Sequence, residues 1–161
     1  MAYKETVLGQ AQAEGRFIHQ TGGRGMFAVV TLRVEAYKPA TGQPPIAFED
    51  ATHGGVIPRE FVASVEQGVR DAAGSGPLAG YPMLNVKATL LDGKHHPVDS
   101  NDIAFQHAAA LGFNQAVKDA TPVFLEPIMR LAVSTPEEFL GAVTGDLQAR
   151  RAEIHQMETR G

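Results

Sequence analysis

"IAFEDATHGGVIPREFVASVEQGVRDAAGSGPLAGYPMLNVKATLLDG", residues 46–93, reads as strand, helix, strand. In "IAFEDAT" (46–52) apolar residues fall on alternate positions, the period of an extended chain with one buried side. "HGGVI" breaks the run. A helix then starts at Pro58, where the missing proline N–H leaves no donor unpaired. Phe61, Val62, Val65, Val69 and Ala72 recur at helical spacing and mark the face expected in the core. "GSGPLAGYP" ends the helix. "MLNVKATLLDG" (83–93) is a second strand, with Leu84, Val86, Ala88 and Leu90 on one face. Taken alone, such a unit is expected to cross over in the usual right-handed sense.

Working outward, "MFAVVTLRVEA" (26–36) is rich in valine and aromatic residues and reads as a strand. Residues 3–19 alternate loosely and read as extended, and "YKPATGQPPI" (37–46) is a proline-rich loop. "KHHPVDS" (94–100) is a loop from which Asp99 or Ser100 can cap a second helix, "NDIAFQHAAALGFNQAVKDA" (101–120). At residue 121 the character resets. "TPVFLEPIMRLAVST" (121–135) reads as a strand with Pro127 at a bulge or edge. "TPEEFLGAVTGDLQARRAEI" (135–154) reads as a helix capped by Thr135. A lone strand and helix bury too little to fold independently. Residues 121–161 are therefore expected to open a second domain that is cut short. Phe139, Leu140, Val143 and Leu147 form an apolar stripe on that helix, expected to fray or to pair with another chain.

The composition fits a globular chain with a core: 161 residues, 43% apolar and 20% charged. No apolar run is long enough to span a membrane, and no secretory signal opens the chain. The absence of cysteine excludes disulfides and thiolate metal sites, and a cytoplasmic location fits it. A net charge of −4 argues against a broad nucleic-acid-binding face, and the absence of tryptophan argues against a base-stacking platform. Any contact with RNA must be made at a small spot.

"HQTGGRGMF" (19–27) sets three glycines around one arginine between two strands, more than a tight hairpin requires. Two readings stand: a glycine loop that lets backbone N–H groups and Arg24 meet an anion or RNA, or a flexible turn with an incidental arginine. It is neither a P-loop nor a dinucleotide fingerprint. The adjacent His95 and His96 invite a metal reading, but neighbouring side chains point apart and no third ligand stands at the right spacing. Solvent-exposed loop histidines are the simpler account. No serine sits in a nucleophile elbow and no acid pair stands out, so no catalytic residue is assigned.

Five stretches resemble the C-terminal part of translation elongation factor G, in that family's order: "YKETV" (3–7), "TGGRG" (21–25), "GGVIPREFVASVEQGVRDAAGSGPLAGYP" (54–82), "DGKHHPVDSNDIAFQHAAALGFNQA" (92–116) and "PVFLEPIMRLAVSTPEEFLGAVTGDLQARR" (122–151). Together they are spread along the chain from residue 3 to residue 151. The resemblance implies an α+β fold for residues 1–120, the family's fourth domain. That fold has a four-stranded sheet, two helices on one face and a left-handed βαβ crossover, against the general rule. For residues 121–161 it implies the first strand and helix of a ferredoxin-like fifth domain. It also implies that this chain is a piece of a GTPase whose nucleotide-binding domain, with GTP and Mg, lies elsewhere, and that the piece itself is not an enzyme.

In this family the fourth domain is a lever whose tip enters the decoding site of the small ribosomal subunit, against tRNA and mRNA, during translocation. The resemblance makes the tip from two loops, residues 20–26 and 93–99. Its contact residues would be Gly22, Gly23, Arg24, Gly25, Met26, Lys94, His95 and His96. The sequence departs from the common pattern, with Met26 for a glutamine, Val29 for a histidine and Pro97 for an acid. Those departures fit a second, divergent copy of the factor, or a relative that acts in ribosome recycling or tetracycline protection. An unrelated enzyme sharing the fold is the remaining alternative.

Overall fold

The computed structural model describes residues 2–20 and 22–159. In chain order its elements are β1 (Lys4–Val7), β2 (Gln10–His19), β3 (Met26–Ala36), β4 (Ile46–Asp50), α1 (Arg59–Ala73), β5 (Val86–Lys94), α2 (Asp102–Asp119), β6 (Pro122–Leu125) and α3 (Leu140–Ala149). A single 3-10 turn, Glu137–Phe139, precedes α3.

The alternation read in β3 is what builds the core. Ala28, Val30, Leu32 and Val34 are fully buried in one cluster with Val86, Ala88 and Leu90 of β5. The sheet order is β2–β3–β5–β4, with β2–β3 and β3–β5 antiparallel and β4–β5 parallel around α1. Val65 and Val69 of α1 and Phe105, Ala109 and Phe113 of α2 join the cluster. Phe61 stacks on Phe105 with ring centroids 4.8 Å apart, tying the two helices together. Backbone contact fixes how close the helices and sheet come. A Cβ added to Gly15 in β2 would lie 1.8 Å from the Ala108 carbonyl of α2, so only glycine fits there. The chain is thus a mixed α+β fold with a four-stranded sheet covered by helices.

Several boundaries differ from the sequence expectation. Residues 3–19 are not one extended run: β1 and β2 are separate, and β1 pairs antiparallel with the distant β6. Pro58 stands at the cap position of α1 rather than within it, and the helix ends at Ala73. Val65 and Val69 are buried as expected, while Phe61, Val62 and Ala72 only pack partly against the core. Neither Asp99 nor Ser100 caps α2. Asn101 does, its side-chain oxygen accepting from Ala104 N–H at 2.8 Å. The strand read across 121–135 is confined to Pro122–Leu125, because β1 offers pairing only that far, Lys4 opposite Leu125. Beyond it Ile128 is 92% exposed.

The chain divides into two units, residues 1–127 and 128–161. In the second, no described residue is buried. Its helix runs only over Leu140–Ala149, and Thr135 makes no cap: its hydroxyl reaches only the Pro136 carbonyl, at 3.4 Å. Two interior glycines, Gly141 and Gly145, weaken helix propensity, and Arg151, at φ +63°, stands outside the helical conformation. Phe139 and Leu140 of the apolar stripe are exposed, and Val143 and Leu147 are half-buried.

Glu5 of β1 was not singled out by its sequence, yet it is fully buried. Its carboxylate accepts from the backbone N–H groups of Leu78 (2.6 Å), Tyr81 (2.7 Å) and Ala79 (3.3 Å). It thereby closes the "GSGPLAGYP" turn onto β1. A Cβ on Gly76 would lie 2.5 Å from this carboxyl group, so that glycine makes room for it.

Candidate nucleic-acid interface

Strand directions decide where the candidate residues gather. β2 ends at His19, β3 starts at Met26, and those residues pair. β5 ends at Lys94, opposite Val29 of β3. The loops 20–25, of which Thr21 lies outside the described residues, and 95–101 therefore leave the same end of the sheet.

Hydrogen bonds bind the two loops into one body. Arg24 donates from Nε and Nη2 to the Val98 carbonyl, at 3.3 and 3.2 Å. Phe27 N–H donates to the Asp99 carbonyl at 2.9 Å. The Ser100 hydroxyl donates to the Phe27 carbonyl at 2.7 Å and accepts from His96 N–H at 2.8 Å. Gly25 is buried in this junction, where an added Cβ would meet the His19 carbonyl at 3.0 Å. Gly22, at φ +35°, is exposed with open space around it, and the neighbouring Gly23 is exposed in the same turn.

The two histidines present opposite tautomers. His95 Nδ1 lies 2.9 Å from the Val56 carbonyl, which can only accept, so that nitrogen carries hydrogen. His96 Nδ1 instead receives N–H bonds from Val98 (3.2 Å) and Asp99 (3.1 Å). It must be the acceptor, which leaves Nε2–H to donate elsewhere. Asp99 Oδ2 also lies 3.7 Å from His96 Nδ1. Two backbone donors already occupy that lone pair, so the backbone bonds and not an ion pair hold the ring. The His96 side chain is 47% exposed, ordered from below and open above. Phe27 backs it with ring centroids 6.1 Å apart.

Of the expected residues, Gly22, Gly23, Arg24, Lys94, His95 and His96 are exposed at this end, and Gly25 is the buried pivot. Met26 differs: it opens β3 and packs half-buried against the core rather than standing at the loop apex. Among the described residues neither Arg24 nor Lys94 makes an ion pair. No three His, Asp or Glu side chains among them meet as metal ligands. Surface grooves lined by Tyr3, Tyr81, Phe124 and Glu126, or by Val133, Phe139, Val143 and Leu147, contain none of the tip residues. The end of the sheet is thus an exposed, donor-rich surface. No helix among the described residues is long and apolar enough to cross a membrane.

Residues 1–121 match the family model "Elongation factor G, domain IV" and residues 123–161 match "Elongation factor G C-terminus". The chain belongs to the elongation factor G family. It is 50% identical over 161 residues to Elongation factor G of Thermotoga petrophila and to that of Aquifex pyrophilus, covering all of this chain and 23% of each relative. A crystal structure from Thermus thermophilus superposes with a TM-score of 0.88 at 43% identity, over 99% of this chain and 23% of that one. The chain therefore spans about a quarter of the length of its elongation factor G relatives. The two family models meet near residue 122, whereas by pairing β6 sits in the first unit, against β1.

A third loop, residues 51–58, reaches the same end and was read from sequence only as a turn before α1. β4 runs parallel to β5 and ends at Asp50, so its following loop must emerge there. The doubled glycine behind His53 was the signal available.

Proposed function

We propose that this chain is the ribosome-entering part of an elongation factor G-type GTPase, and that its tip loops contact tRNA and mRNA in the decoding site of the small subunit during translocation. The observation that carries the reading is the locked pair of loops 20–25 and 95–101. A lever must transmit displacement, and a tip tied by Arg24, Phe27 and Ser100 to two different strands moves as one with the sheet. The exposed glycines allow close backbone approach, and Arg24, Lys94 and the His96 Nε2–H supply donors to phosphates and 2′-hydroxyls. The chain's net charge of −4 keeps the rest of the lever from adhering to phosphate-lined walls.

The work is mechanical. GTP and its Mg2+ act on another domain of the parent protein, and this part acts in the cytoplasm without chemistry of its own. Half of all positions being shared with proteins named Elongation factor G favours a translocase over a recycling or resistance paralogue.

The test replaces the corresponding segment of a full-length elongation factor G with residues 1–161 and introduces Arg24→Ala or His96→Ala. Each is expected to slow single-turnover translocation by about tenfold, the factor for roughly 1.4 kcal/mol of lost stabilisation, and to leave ribosome-stimulated GTP hydrolysis nearly unchanged. Equal loss of both activities would overturn the reading.

A further inference from the structure

We infer that the loop 51–57 is a third element of the tip that touches the RNA sugar–phosphate backbone, through His53 and the Gly54–Gly55 backbone. The inference rests on the decoding-site reading above and adds to it a contact that neither tip loop supplies.

Three observations carry it. First, the loop is fixed to the tip. The His95 imidazole donates to the Val56 carbonyl at 2.9 Å. Ile57 is buried against Gly93, where an added Cβ would lie 2.4 Å from Ile57 Cδ1. The second tip loop cannot advance into a partner without carrying the third. Second, the outer part of the loop is spare. Gly54 and Gly55 are exposed at φ +66° and +67°, with nothing within 4 Å of an added Cβ. His53 is exposed and makes no hydrogen bond or ion pair with the described residues. Third, no carboxylate within the loop stands in the way of an anion. "ATHGGVI" (51–57) holds no acid. The adjoining Asp50 turns its Oδ1 to Thr52, accepting from the hydroxyl at 2.6 Å and the N–H at 3.0 Å.

An imidazole donor beside two unshielded peptide groups fits the repeating phosphates and 2′-hydroxyls of RNA. No base-reading side chain accompanies them, so the contact is to shape and backbone rather than sequence.

The chain has no cysteine, so a single cysteine can carry a hydroxyl-radical source in a cysteine-free full-length chimera. His53→Cys, Arg24→Cys and, as a control at the far end of α2, Lys118→Cys would each be loaded and bound to ribosomes. The inference expects RNA cleavage in the decoding region from positions 53 and 24, at overlapping but offset nucleotides, and none there from 118. Cleavage from 24 with none from 53 overturns the third contact and leaves the two-loop tip standing. Absence of decoding-region cleavage from both overturns the decoding-site reading and this inference with it. As a second readout, His53→Ala is expected to slow translocation about fivefold, the factor for one hydrogen bond, with GTP hydrolysis unchanged. Unchanged translocation counts against the contact.

Discussion

Glu5→Ala should be among the most damaging single changes in this chain. Glu5 is fully buried, and its carboxylate gathers three backbone donors at 2.6, 2.7 and 3.3 Å. A hydrogen bond to a charged group contributes about 1.5–3 kcal/mol, so the two short bonds alone set a ceiling of about 6 kcal/mol. Leu78 and Tyr81, which supply those donors, lie in a turn whose residues are 44% and 37% exposed, so the turn can shift to let water meet the freed N–H groups. That pulls the expected loss to about 3 kcal/mol, or roughly 6–12 °C in Tm for a chain of this size. Glu5→Gln keeps one acceptor oxygen but turns an NH2 group toward a backbone donor, and should cost about half as much. The backbone of Glu5 is held separately: its N–H donates to Pro82 O at 3.0 Å and its carbonyl accepts from Leu84 at 2.9 Å. The variants therefore isolate the side chain. Urea unfolding followed by circular dichroism gives the loss, and amide exchange at Leu78 and Tyr81 should quicken. A Glu5→Ala protein within about 0.5 kcal/mol of the parent, the range of ordinary surface changes, would refute the reasoning.

Gly15→Ala must push α2 off the sheet, since the new methyl would sit 1.8 Å from the Ala108 carbonyl, and a loss of about 3 kcal/mol is expected by the same unfolding assay. Asn101→Ala removes the cap of α2 and should cost about 1 kcal/mol. Ser100→Ala should instead quicken amide exchange at His96, whose N–H it receives, while α2 exchange stays unchanged. Lys87 bonds Glu49 at 2.8 Å, and that bond lowers the Glu49 pKa and raises that of Lys87. The coupling in a double-mutant cycle should be present at neutral pH and lost as pH falls through the lowered Glu49 value. It should be lost again as pH rises through the raised Lys87 value, and salt should weaken it throughout because both side chains are partly exposed.

Local periodicity was enough to read β3, α1, β5 and α2, because each buries one face whose spacing is written in the chain. Pairings between distant residues were not. β1 finds β6 more than a hundred residues later, and nothing in "YKETV" distinguishes the buried Glu5 from an ordinary solvated acid. The apolar character of "IMRLAV" invited a strand, but strand structure needs a partner, and these residues have none among those described. At the tip, the family motifs named most of the exposed residues. They did not reveal that Arg24 spends two donors on Val98, that His95 and His96 are held as opposite tautomers, or that Met26 faces the core. Each of those depends on which loop meets which across the end of the sheet. The third loop escaped for the same reason: "HGGVI" reads as a turn until parallel pairing of β4 with β5 puts it beside His95.

The central claim is that these tip loops move tRNA and mRNA. Its most direct test is a single-turnover toeprint with the full-length chimera, GTP and pre-translocation ribosomes. The expected result is movement of the ribosome by one codon, slowed by Arg24→Ala and His96→Ala. GTP hydrolysis with no movement of the toeprint would contradict the claim, leaving a docking module whose role lies in recycling or in tetracycline release.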